Sequence, residues 1–121
     1  MYSIYLVRKA IIPKLLEDMK LSLKAKRVRD ILSDFEKYLR EQRVIVHCLN
    51  RSSIHATFIG SDAYTVLIKF NTGYFYCTCP HYKYRRALCK HTLILLELYV
   101  YLTKMYEVVS KFLKENESKI V

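Results

Sequence analysis

A chain of 121 residues has the length of one small domain, and 52% of its residues are hydrophobic, as is typical of a folded globular protein. Lysine and arginine number 21 and aspartate and glutamate 11, which gives a formal net charge of +10. This excess of cations favours a polyanionic partner, either nucleic acid or an anionic lipid surface. With only 2 glycines and 2 prolines, the composition argues against a Gly-rich nucleotide site and against a many-stranded barrel.

The sequence indicates neither a secretion signal nor a membrane span. Residues 1–13 carry Arg8 and Lys9 in their middle and lack the small-residue cleavage site that follows a signal peptide. The longest apolar run, residues 92–103, is interrupted by Glu97 and has about half the length of a bilayer span. We therefore expect a soluble, cytoplasmic protein without a membrane partner.

Residues 13–42 are predicted to be helical, whereas residues 1–12 are compatible with either a short strand or a first helical turn. Two apolar stripes follow helical spacing, one from Ile12 to Leu23 and one from Val28 to Leu39. Around one straight helix the directions of these stripes would differ by roughly 140°. A single core therefore requires a break, which we expect between Ser22 and Lys26.

From residue 43 to residue 77 the composition changes to Val, Ile, Tyr, Thr and Phe, the residue types of β-strands. Turn-forming residues separate four runs, which predicts an antiparallel meander of three or four strands. The expected strands are Arg43–Leu49, Ile54–Ile59, Ala63–Phe70 and Gly73–Cys77. The two-residue period of a strand places four side chains of the third run on one face, namely Tyr64, Val66, Ile68 and Phe70.

A long C-terminal helix is expected over residues 91–116. Apolar residues recur along it at alternating steps of three and four, which makes a seam of about two and a half heptads. The seam consists of Leu95, Leu98, Leu102, Met105, Val109 and Phe112. Two interpretations stay open: the N-terminal helices cover the seam as part of the core, or the seam is exposed and binds a partner or a second copy of the chain.

Three cysteines and one histidine lie close together as a Cys-x-Cys pair, Cys77 and Cys79, and a Cys-x-His pair, Cys89 and His91. Three thiolates and an imidazole make a closed tetrahedral ligand set for Zn²⁺. Cys77 and Cys79 are two residues apart at the end of a strand, so both side chains leave by the same face. Residues two apart in a helix do not face each other. The second pair can therefore share the metal only if Cys89 precedes the helix and His91 lies in its first turn.

The same residue types allow other interpretations. The cysteines might otherwise be expected as free thiols or as a disulfide, which a reducing compartment disfavours. His81, two residues after Cys79, is an alternative fourth ligand, although the tight turn there makes this awkward. Cys48 is expected to face His55 across a hairpin, with His47 on the opposite side. This pair is too small a ligand set for a second metal site, so we interpret Cys48 as a small core residue.

The pattern Cys77-x-Cys79-x9-Cys89-x-His91 resembles the SWIM zinc finger, whose pattern is CxCxnCxH. The resemblance covers residues 64–98, and it implies that these four side chains bind Zn²⁺. SWIM modules occur in transposases, chromatin remodellers, ubiquitin ligases and recombination accessory proteins. In size and architecture the chain looks like the small SWIM subunit of Shu-type recombination mediators. That likeness implies a role in DNA recombination or repair and a RecA-family paralogue as partner.

The loop between the two ligand pairs interleaves aromatic and cationic side chains. No acidic residue occurs between Asp62 and Glu97. Single-stranded nucleic acid is bound by rings that stack on bases and cations that contact phosphates. We therefore predict contacts with nucleic acid, single-stranded DNA above all, from Tyr82, Lys83, Tyr84, Arg85 and Arg86. The alternative is that the tyrosines pad the zinc loop and the charges form a solvated face, as Lys20, Lys24 and Arg27 do on their helix.

The sequence thus predicts a single α+β domain with N-terminal helices, a small antiparallel meander, a zinc-stapled turn and a long C-terminal helix. Three functions are compatible with it: a nucleic-acid-binding protein of DNA recombination or repair, a protein adaptor that uses the C-terminal seam, and an enzyme. We expect no enzyme, because four protein ligands leave no open zinc position for a water. No Ser/His/Asp set and no carboxylate pair accompanies the motif.

Overall fold

The computed structural model describes the chain from residue 25 to residue 119, with the side chains of residues 33–80 and 82–119. The predicted first helix and the expected break near Ser22 fall at or before the beginning of this range and lie outside the described residues. The same holds for Lys20 and Lys24 and for the side chain of Arg27.

The described part of the chain contains four α-helices and four β-strands. In chain order they are α1 Ala25–Arg40, β1 Val44–Leu49, β2 Ser53–Ile59, β3 Ala63–Lys69, β4 Tyr74–Cys77, α2 Pro80–Arg85, α3 Lys90–Thr103 and α4 Tyr106–Glu115. The strands form one antiparallel sheet in the order β1-β2-β3-β4. The predicted α+β class and the predicted meander are confirmed.

One face of the sheet carries the core, because alternate residues of the strands point to it. The side chains with no exposed surface on this face are Ile54, Ala56, Phe58, Val66 and Ile68. Phe70 is also buried and Tyr64 is half-buried, so the predicted inward face of β3 is confirmed. Helix α3 packs on this face against β2, β3 and β4, and α1 packs against α3. All residues of α3 from His91 to Val100 are buried, as expected for a helix that is apolar on every side.

A β-bulge in β1 changes the expected surroundings of Cys48. Cys48 lies opposite His55, as predicted, but the register shifts between Val46 and Cys48. The extra residue, His47, reaches the same face as His55, and the two imidazole rings are 4.9 Å apart. The expectation that His47 lies on the opposite side is therefore wrong. Cys48 is exposed and not a core residue, because β1 is an edge strand and its outward face is uncovered.

The predicted C-terminal helix is not continuous. Helix α3 ends at Thr103, and Lys104 adopts the left-handed conformation, with φ 61° and ψ 18°. The Thr103 hydroxyl donates a hydrogen bond to the Tyr99 carbonyl at 2.7 Å and accepts one from the Met105 N–H at 3.2 Å. These contacts satisfy backbone groups that a helix end leaves free. The chain changes direction there, and α4 begins at Tyr106.

The break separates the residues of the predicted seam. Leu95 and Leu98 on α3 and Val109 and Phe112 on α4 are buried in one core. Phe112, for example, contacts the rings of Phe70 and Phe75, which belong to the sheet. The seam is therefore not an exposed surface. Of its remaining members, Met105 is half-buried and Leu102 is 46% exposed.

Within residues 25–119 no helix combines the length and the hydrophobicity that crossing a bilayer would take.

Candidate metal centre

Three elements bring the four predicted ligands together. Cys77 ends β4, and Cys79 lies just before α2, where Pro80 occupies the first turn of the helix. Cys89 is the extended residue before α3, with φ −79° and ψ 170°, and His91 lies in the first turn. This is the arrangement that the spacing of the second pair requires. The chain thus leaves the sheet, makes one short helix and returns to the same point as α3 begins.

The ligand atoms of these residues lie within 4.8 Å of one another, and all four side chains are buried. Their exposed fractions are between 0% and 5%, so water does not compete for the site. The Nδ1 atom of His91 is buried without a hydrogen-bond partner. A buried polar atom left unpaired costs free energy, and a zinc centre at the convergence of these side chains removes this cost. The residues present therefore fit Zn²⁺ in donor chemistry, number and proximity.

Hydrogen bonds between the thiols prepare the site for a cation. The hydrogen bond with Cys77 lowers the pKa of Cys89, and contacts with His91 and Thr92 lower it further, while burial opposes them. The same bond with Cys89, together with burial, raises the pKa of Cys77 well above its ordinary value. Burial also raises the pKa of Cys79. Without metal, Cys89 is the thiolate and Cys77 its donor, and Zn²⁺ replaces the shared proton as the compensating positive charge.

Aromatic rings from three elements enclose the imidazole of His91. Its ring centroid lies 5.0 Å from Tyr64, 5.6 Å from Phe58 and 6.3 Å from Tyr38. Such packing restricts the orientation of a ligand and lowers the polarity around the metal. The sequence placed Tyr38 and Tyr64 on apolar faces, but nothing in the pattern indicated that both would meet at the ligand.

Helix α2 fills the loop between the ligand pairs and divides the predicted nucleic-acid residues. Tyr82 is only 7% exposed, and its hydroxyl donates a hydrogen bond to the Phe75 carbonyl at 3.2 Å. The expectation that Tyr82 stacks on a base is therefore wrong, because its ring packs on β4. The side chain of His81, the alternative ligand, lies outside the described residues.

The other predicted nucleic-acid residues are all exposed, and we call them the basic cluster: Lys83, Tyr84, Arg85 and Arg86. The ring of Tyr84 is 88% exposed. Arg86 ends α2 in the left-handed conformation, and its guanidinium lies 5.2 Å from the centroid of the Tyr82 ring. On the other side of the ligands, Lys90 forms an ion pair with Asp34 of α1 at 3.1 Å. Lys90 is therefore partly neutralised, whereas the basic cluster forms no ion pair among the described residues.

Comparison with known protein families gives an independent assignment of this segment. Residues 76–99 match the family model of the SWIM zinc finger. No curated protein and no solved structure matches the chain. The matched segment begins beside Cys77 and ends within α3, so it contains the four converging side chains and the helix between them. Because sequence pattern, ligand geometry and family model agree, residues 76–99 form a SWIM zinc finger that binds zinc through Cys77, Cys79, Cys89 and His91.

Proposed function

We propose that this protein is a nucleic-acid-binding accessory factor that acts in DNA recombination or repair, with zinc in a purely structural role. The observation that carries the proposal is the exposed basic cluster, which the metal site holds on a short, fixed helix. Four protein ligands complete the tetrahedral shell of Zn²⁺, so the metal has no position for a reacting water. The protein we propose therefore binds and does not catalyse.

The metal site reduces the entropic cost of binding at the basic cluster. Cys79 and Cys89 anchor the two ends of the segment, and the Leu88 N–H donates a hydrogen bond to the Lys119 carbonyl at 2.9 Å. Residues fixed before binding lose less conformational freedom when a ligand arrives. The cations of the basic cluster are thus presented in a defined arrangement, unlike charges on a solvated loop.

The charge around the basic cluster favours a polyanion over a protein of mixed charge. No acidic residue occurs between Asp62 and Glu97, and the chain as a whole carries +10. Three thiolates and one Zn²⁺ lower this formal charge by only one. A positive field of this kind attracts nucleic acid without reading its sequence. We therefore expect binding to single-stranded DNA with little sequence preference.

The test compares two variants that remove the same charge. Arg85→Gln with Arg86→Gln should weaken binding to a labelled single-stranded oligonucleotide and reduce the slope of log K against log salt by about two units or slightly less. Lys111→Gln with Lys114→Gln removes two exposed cations from α4 and should change the slope much less. Equal slopes for the two variants would mean that the basic cluster is not the contact site, and zinc content verifies that both are folded.

A protein adaptor is the second candidate function, and a groove favours it. The groove has a volume of about 230 Å³ and lies between α1, β1 and α3, with Leu102 at its side. Its lining residues are Tyr38, Leu39, Gln42, Val44, Val46, Leu98 and Leu102. In this alternative a RecA-family paralogue or a second copy of the chain binds there. Co-purification of a RecA-family protein that a Leu102→Glu change abolishes would favour the adaptor.

A further inference from the structure

We propose that the exposed face of the sheet is a stacking platform for the bases of a single-stranded nucleic acid, with Tyr74 and Tyr76 as its main stacking residues. The inference deepens the proposed function and rests on it. It assigns a place to the bases, whereas the basic cluster accounts only for phosphates. Since Tyr82 is buried, the rings that stack on bases must come from another part of the molecule.

Tyr74 and Tyr76 project from the face of β4 that is opposite to the core. Their neighbours Phe75 and Cys77 are buried, whereas the two tyrosines are 47% and 38% exposed. An aromatic ring on an exposed sheet face is held by rigid backbone and offers a flat apolar surface. Such a ring stacks on any base, because every base has a π-face.

A row of apolar and aromatic side chains extends from Tyr76 across the sheet. Tyr76 pairs with Leu67 on β3, and Leu67 pairs with His55 on β2. The bulge in β1 then places His47 against His55, with ring centroids 4.9 Å apart. Neighbouring strands are about 4.8 Å apart, so the row offers surfaces for several consecutive bases along one line.

The charge of this face suits a nucleic acid and disfavours a second copy of the chain. None of the four strands contains an aspartate or a glutamate. Lys69 pairs with Tyr74 across the sheet, and its ammonium group lies 5.9 Å from the ring centroid. A second copy would bring its own +10 charge to the same surface. The electrostatic complementarity therefore points to a polyanion with apolar bases.

Tyr82 connects the platform to the basic cluster. The rings of Tyr76 and Tyr82 are 5.4 Å apart, and Arg86 lies 5.2 Å from the Tyr82 ring. A strand whose bases stack on Tyr76 therefore passes close to the guanidinium of Arg86. The sheet face and the basic cluster form one continuous surface around the edge of β4.

The experiment separates stacking from charge by changing the probe as well as the protein. Binding is measured for an oligothymidylate of about 15 nucleotides, within the range of single-strand site sizes, and for an abasic strand of the same length and charge. The parent protein should prefer the strand with bases. Tyr74→Ala with Tyr76→Ala should lose at least about five-fold affinity for oligothymidylate and little for the abasic strand, so the preference collapses while the salt slope stays unchanged.

Three controls make the result specific. Tyr74→Phe with Tyr76→Phe keeps the rings and should keep the preference. Tyr106→Ala removes an equally exposed ring from α4, which packs on the other face of the sheet, and should change nothing. The Arg85→Gln, Arg86→Gln variant should lose affinity and salt slope but retain the preference for bases.

The outcomes distinguish this inference from the proposed function. If the alanine variant retains the full preference for bases, the platform is wrong, although salt-dependent binding by the basic cluster would leave the proposed function intact. If sedimentation shows a dimer that the alanine variant dissociates, the face is a protein interface and the inference is overturned. If the parent binds neither strand at low salt, both proposals fail.

Discussion

Cys89 has two roles, since its backbone begins α3 and its thiol belongs to the metal site. Its Sγ atom lies 3.3 Å from the Thr92 hydroxyl, one turn into the helix. A cysteine in this position has both a low thiol pKa and a fixed direction. Cys48, by contrast, is exposed on the edge strand and contacts the Asn50 side chain through its sulfur at 3.7 Å. The two thiols allow a matched comparison within one molecule.

We predict that Cys89→Ser abolishes zinc binding and that Cys48→Ser leaves it at one equivalent per chain. Serine is a poor zinc ligand, and three remaining donors do not complete the closed shell. The measurement is zinc content by elemental analysis after dialysis. Full zinc in the Cys89→Ser protein would show that another residue supplies the fourth donor.

At the scale of single residues, the sequence predicts what spacing and alternation determine. Two Cys/His pairs around a short loop identified the ligands, because only convergent donors make such a pattern useful. The burial of Tyr82 did not follow from spacing, since it depends on how α2 lies against β4. The exposure of Tyr74 and Tyr76 does follow from alternation, because Phe75 and Cys77 between and after them point inward.

At the scale of elements, the break between α3 and α4 decides which apolar residues are available to a partner. No glycine or proline marks it in the sequence, so the helical period continues through the break and suggested one seam. The break follows from packing: α3 crosses the core face of the sheet, and α4 turns back to bury Val109 and Phe112. A periodic pattern alone does not distinguish one long helix from two short ones.

We predict opposite effects for glutamate at two positions of the former seam. Leu102→Glu should leave zinc content and thermal unfolding nearly unchanged, because the side chain is 46% exposed. Val109→Glu should destabilise the protein by several kcal/mol, since a carboxylate in this fully buried position has no partner. Thermal unfolding followed by circular dichroism measures both effects. Similar melting of the two variants would contradict the two-helix arrangement.

At the scale of the whole molecule, the metal connects parts that are distant in the chain. The sheet, α2 and α3 meet at the ligands, and Tyr38 of α1 lies against His91. Hairpins and local helices were predictable because their signals are local, whereas this convergence was predictable only through the ligand spacing. The packing of α1 and α4 around it depends on side-chain shapes that a periodic pattern does not encode.

We predict that a strong chelator abolishes the cooperative thermal transition of the whole domain. Structural zinc contributes an apparent ~10–16 kcal/mol in small fingers, which is as large as the total stability of a typical domain, about 5–15 kcal/mol. Added Zn²⁺ should restore the transition. A metal-free protein that melts within a few degrees of the zinc form would show that the sheet and helices suffice for folding.

The aromatic enclosure of His91 has an optical consequence. The chain contains no tryptophan, so its near-ultraviolet fluorescence comes from tyrosine alone. Tyr64 and Tyr38 lie 5.0 Å and 6.3 Å from the ligand ring. Cobalt(II) in place of zinc absorbs in the near-ultraviolet through its thiolate bonds and would quench the emission of these two rings most strongly. The protein therefore carries its own fluorescent reporter of metal occupancy, and a Tyr64→Phe change identifies how much of the signal comes from the ring nearest to the metal.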